Sequence, residues 1–142
     1  MKANELRIGN YVLISNHDAL VKVHSSPKMV CGITSEKELE FEWKYPVKKN
    51  FKVPVVHCFG IPLNEAWLTQ LGFSITRDPP CTYRAVLGDF ELCFGDAPEC
   101  YNFITLNNWH GNNEVKVEVL YVHQLQNLYF LLTGKELQLK GN

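Results

Sequence analysis

The sequence predicts an α+β fold: an antiparallel sheet or small, partly open barrel, with one short helix over residues 65–71 and one C-terminal helix over residues 122–132. Three observations carry this reading. Short runs rich in β-branched and aromatic residues recur along the chain, separated by tight polar turns. Residues 64–72 hold the start and stop signals of a two-turn helix. From Val122 onward, apolar residues return at i, i+3 and i+7.

The elements follow in order. Leu6, Ile8 and Gly9-Asn10 lead into Tyr11-Val12-Leu13-Ile14, a short entry, a turn and a buried strand. Residues 19–23 and 29–34 read as two further strands joined by polar turns, an antiparallel meander. Phe41-Glu42-Trp43 alternates as a half-buried strand does. Residues 44–54 carry Pro46, Pro54 and four Lys and read as a loop or mobile insertion. Residues 55–59 form a short apolar run.

Asn64 is placed as an N-cap, with Leu63 and Leu68 at the spacing of a hydrophobic staple. Gly72 is placed as the left-handed residue after the helix, and Phe73 would fold back on Leu68. So short a helix does not hold alone in water, so Trp67, Leu68 and Leu71 must dock on a sheet. Strands resume at residues 73–76, and residues 77–80 read as a turn because adjacent prolines cannot donate to a ladder. Residues 83–87 and 90–94 flank Gly88-Asp89 as a hairpin. Residues 101–106 and 114–120 are further strands around a polar turn at 107–113. In the last helix Val122, Leu125, Leu128, Tyr129 and Leu132 form the apolar stripe, and Gly134 closes it. Leu137 and Leu139 alternate as a last short strand would.

With 142 residues, 46% hydrophobic and 20% charged, the chain fits one domain, residues 1–142, and lies far from the composition of disorder. Its net charge of -1 gives no overall pull toward nucleic acid or an anionic membrane. No apolar run nears the roughly 20 residues that span a bilayer. The N-terminus lacks the apolar region of a secretory signal, which predicts a cytoplasmic protein. Five Cys without C-x-x-C spacing read as reduced, mostly buried thiols.

Three stretches resemble a known family. They are Leu6-Arg7-Ile8-Gly9-Asn10-Tyr11-Val12, Ile61-Pro62-Leu63-Asn64-Glu65-Ala66-Trp67-Leu68 through Leu71-Gly72-Phe73, and Tyr121-Val122-His123-Gln124-Leu125-Gln126-Asn127-Leu128-Tyr129-Phe130 with Thr133-Gly134. Together they resemble small proteins carried by anaerobic gut bacteria, their prophages and mobile elements. The resemblance implies a habitat and a shared fold, and carries no mechanism. The first stretch also occurs where the first strand of an SH3-like barrel begins, and barrels of that kind bind peptides or nucleic acid.

Two constellations stand out. On the last helix His123, Gln126, Asn127 and Phe130 lie on or near one face. They read as a recognition face for a protein partner or a second copy, or as groups that lock the helix onto the fold by bonding loop backbone. Lys44, Lys48, Lys49 and Lys52 alternate with Trp43, Tyr45 and Phe51. Charge and stacking rings in that pattern can hold single-stranded nucleic acid, and the alternative is a solvated loop with its aromatics turned inward. A Cys nucleophile needs an activating His, and no signature surrounds any Cys here. The scattered His residues show no metal spacing, and no phosphate-binding or dinucleotide motif exists. The expectation is therefore a non-catalytic protein-binding or self-associating module, without cofactor or metal. Single-stranded nucleic-acid binding through residues 43–52 is the alternative, and a small Cys-dependent hydrolase the third reading.

Overall fold

The computed structural model describes residues 2–15, 26–43, 49–78, 82–95, 103–108, 111–116 and 118–140. In chain order the elements are β1 (Tyr11–Ile14), β2 (Lys28–Ile33), β3 (Glu38–Trp43), β4 (Lys49–Pro54), β5 (Cys58–Phe59), α1 (Glu65–Gln70), β6 (Ser74–Asp78), β7 (Thr82–Leu87), β8 (Phe90–Gly95), β9 (Phe103–Asn108), β10 (Gly111–Lys116) and α2 (Val122–Thr133). Short 3-10 turns occupy Ala3–Glu5 and Val55–His57. The fold is α+β, with antiparallel sheets, one short helix and one longer C-terminal helix. Among the described residues no helix is long and apolar enough to cross a membrane.

The chain divides into two compact units. The first holds Met1–Pro62 and Tyr121–Glu136, and the second Leu63–Leu120 and Leu137–Asn142. The first unit's sheet has the order β4-β3-β2-β1-β5, antiparallel throughout. Four antiparallel neighbours run from β4 to β1, and after a 3-10 turn the short β5 returns to pair with β1. Its core joins Leu6, Val12, Val30, Leu39, Phe41, Val55 and Cys58, with Ile14, Phe51 and Val53 packed against it.

Residues 49–54, expected as part of a loop, form β4 instead. The reason is cross-strand pairing. Phe51 lies opposite Phe41 and Val53 opposite Leu39, and the two Phe rings stack at 5.5 Å. That apolar alternation outweighs the local signal of Lys and Pro. Pro54 ends the strand on a sheet edge, where its missing N–H costs no ladder bond. In β2, Cys31 is the extra residue of a bulge between Val30 and Gly32. The strand expected at 19–23 lies outside the described residues.

The second unit's sheet is a plain meander, β10-β9-β8-β7-β6. The Gly88-Asp89 hairpin forms as expected, Leu87 facing Phe90 and Gly88 at φ +60°. Ala85, Phe90 and Leu92 are fully buried. Several boundaries move. Arg77 and Asp78 extend β6 rather than turning. The polar residues Asn107, Asn108 and 111–113, expected as a turn, continue β9 and β10, because register with a paired neighbour outweighs the low strand propensity of Asn and Gly. Residues 118–120 and 137–139 are not strands, although Val119 and Leu137 are buried.

Candidate functional site at the C-terminal helix

α2 starts where Val122 N–H donates to Ile61 C=O at 2.9 Å and Gln124 Oε1 accepts from Tyr121 N–H at 3.1 Å. The latter satisfies a donor left open at the helix start. It ends at Gly134, φ +69°, whose N–H reaches Phe130 C=O at 2.8 Å. Its first two turns bury Val122, His123, Leu125 and Gln126.

The buried side includes the polar residues that the sequence offers as a recognition face. Gln126 Oε1 accepts from Tyr11 N–H at 2.9 Å, and its Nε2 donates to Gly9 C=O at 3.0 Å. Asn127 Oδ1 accepts from Asn10 Nδ2 at 3.0 Å, and its own Nδ2 donates to Glu5 C=O at 2.7 Å. Asn10 Oδ1 in turn accepts from Arg7 N–H at 2.8 Å. Gly9 at φ +94° makes the turn that presents its carbonyl. The first and third family-like stretches are thus one interlocked network, tying α2 to the segment before β1. His123 and Gln126 thus lie inside the first unit, and Asn127 is half-buried at its edge. The reason is physical: amides that complete backbone bonds from inside the fold stabilise it more than amides left to water.

His123 differs from its neighbours. It is 1% exposed, and among the described residues neither Nδ1 nor Nε2 has a hydrogen-bond partner. Its ring stacks on Tyr121 at 5.7 Å and 12°. Burial pushes its pKa below the usual histidine value, partly offset by the Glu5 carboxylate and reinforced by the N-terminal ammonium. Gly60 lets the two rings sit there. A Cβ at that position would lie 2.7 Å from Tyr121 Cδ1 and 3.1 Å from His123 Cε1. Gly60→Ala is expected to lower the stability of the first unit by about 1–3 kcal/mol through overpacking, checked by urea denaturation.

Phe130 is the one member of the expected face that reaches the surface. Arg7 Cζ lies 3.6 Å above its ring, and Arg7 Nη2 pairs with Glu136 Oε1 at 2.8 Å. Next to it, Leu131 is 79% and Leu132 40% exposed. The apolar spacing of α2 places Leu132 in the buried stripe and leaves Leu131 out of it, yet both face outward. The signal was present: three consecutive apolar residues cannot all face inward from a helix with 3.6 residues per turn.

Of the Lys and aromatic side chains in the stretch 43–52, two are described, those of Phe51 and Lys52. Phe51 packs on the core and stacks on Phe41. Lys52 pairs with Glu40 at 3.6 Å. Trp43 lies opposite Lys49 in the register. The side chains of Trp43 and Lys49, and all of Lys44, Tyr45 and Lys48, lie outside the described residues.

Among the described residues, two thiols are held back from ionising. Burial pushes Cys58 up to about 11, and its Sγ lies 3.8 Å from Pro54 C=O. Cys93 is raised by burial and by Glu91, whose Oε1 it meets at 3.4 Å while Arg84 Nε holds the same oxygen at 2.8 Å. A nucleophilic Cys needs the opposite shift. Among the described residues, no three His, Cys, Asp or Glu side chains come together to hold a metal ion.

No family model matches the chain, and no solved structure matches it. It is similar to chymotrypsin-like elastase family member 3A of Homo sapiens, 29% identical over 119 residues, which is 82% of this chain and 38% of that protein. The chain therefore spans little more than a third of the length of the curated relative it matches.

Proposed function

We propose that the chain is a non-catalytic protein-binding or self-associating module whose contact surface is the outer side of the C-terminal end of α2. One observation carries this: Phe130, Leu131 and Leu132 are exposed together in the last turns, while the Gln126 and Asn127 amides of the earlier turns are engaged within the unit. Covering a leucine side chain removes apolar surface worth about 1.5–3 kcal/mol from water, and exposed apolar groups gathered in one place mark interaction surfaces. Arg7 beside Phe130 adds a cation at the rim, a residue type favoured at interfaces. The proposal places the module in the cytoplasm of bacteria that carry prophages and mobile elements, on the strength of the three family-like stretches.

Light scattering over the micromolar range tests it together with Leu131→Glu, a change at an exposed site that leaves the core intact. The expected result is an associated wild-type chain and a monomeric variant of unchanged thermal stability. A wild-type chain that stays monomeric at every concentration removes self-association. Equal capture of partners by wild type and variant would sink the assignment of this surface.

A further inference from the structure

We propose that His123 is an acid-sensitive latch: its protonation releases α2 from the sheet of the first unit. The geometry carries this. The imidazole is enclosed by Tyr121 and Gly60 in the first turn of α2, and among the described residues neither nitrogen has a partner to share a second proton. The residues beside it on the same helix, Val122, Leu125 and Gln126, form the buried contact with the sheet unit. A charge placed at His123 therefore stands in the surface that docking must keep dry.

Among the described residues, the charged surroundings are sparse. α2 itself carries no acidic or basic side chain other than His123. The Ala3–Glu5 turn brings the Glu5 carboxylate, which favours the cation. The N-terminal ammonium opposes it. β1 and residues 58–62 bring no carboxylate, amine or second imidazole. Desolvation outweighs Glu5, so the docked helix resists the proton.

The direction follows by linkage. With α2 released, His123 takes up a proton near the ordinary value of about 6.5. With α2 docked it does so only at lower pH. The released form binds more protons, so docking weakens as pH falls through about 6.5 and goes on weakening until the docked-state value is passed. This one group changes the release equilibrium by up to about tenfold per pH unit in that window.

The experiment is an NMR titration of the full chain, following the His123 ring protons and the methyl groups of Val122 and Leu125. The expected result is a ring midpoint below about 6.5, with the methyl signals moving to their released positions over the same range. In His123→Phe, which keeps a ring against Tyr121 but cannot titrate, the methyl signals should no longer respond in that window. A ring midpoint at or above the ordinary value overturns the proposal. So does protonation of the ring while Val122 and Leu125 stay in place, or a response in His123→Phe equal to wild type. Should that variant fail to fold, the wild-type titration alone decides.

Discussion

Leu68→Ala is expected to destabilise the second unit by about 2–5 kcal/mol. Leu68 is 1% exposed, yet it sits in a helix of only six residues that could not persist in isolation. What holds the helix is closure at both ends around this leucine. Asn64 Oδ1 accepts from Trp67 N–H at 3.1 Å at the start. At the end, Gly72 at φ +99° lets its own N–H reach Thr69 C=O and Phe73 N–H reach Leu68 C=O, each at 3.0 Å. Those two bonds make a Schellman motif, with Phe73 and Leu68 as its apolar pair. Phe73 then meets Phe90 edge-on at 6.0 Å, linking the cap to β8. Removing the leucine leaves a cavity at the junction of helix, cap and sheet. Hydrogen exchange should show lost protection in α1 and β6, with a lower urea midpoint. A variant melting within a degree of wild type would refute the account.

Gln126→Ala should produce the largest loss in the first unit that one polar residue can cause. The amide serves two backbone groups at once, the Tyr11 N–H and the Gly9 C=O. Truncation takes a partner from each in a buried setting, at about 1–3 kcal/mol apiece. Gln126→Glu separates the two bonds. The carboxylate still accepts from Tyr11 but cannot donate to Gly9, and it adds a buried charge, so its cost should exceed that of alanine at neutral pH. Urea denaturation of both variants, with hydrogen exchange at β1, measures the effect. Unchanged protection at Tyr11 and Val12 in both would show that the network is incidental. Asn127→Ala should cost less, because Asn127 is only half-buried and water can replace its partners.

The sequence made α1 legible almost to the residue, because its signals are local. Asn64, Leu68, Gly72 and Phe73 lie within ten positions of one another, and capping geometry depends on little beyond them. The Gly88-Asp89 hairpin was legible for the same reason. β4 was not, since its strand character comes from Leu39 and Phe41 across the ladder and not from its own lysines and prolines. The role of the α2 face was half legible. Spacing alone grouped His123, Gln126, Asn127 and Phe130, but periodicity does not say which way a mixed face turns.

By itself, then, the sequence determined the α+β class, the two helices and their ends, and most strand positions, all set by short-range backbone preference and side-chain period. Only the tertiary structure decided that Gln126 and Asn127 complete the backbone around Gly9 and Asn10, more than a hundred residues away, and that Leu131 faces outward. A polar side chain bonds whichever backbone group the folded chain brings within about 3 Å of it, and no local pattern records that meeting.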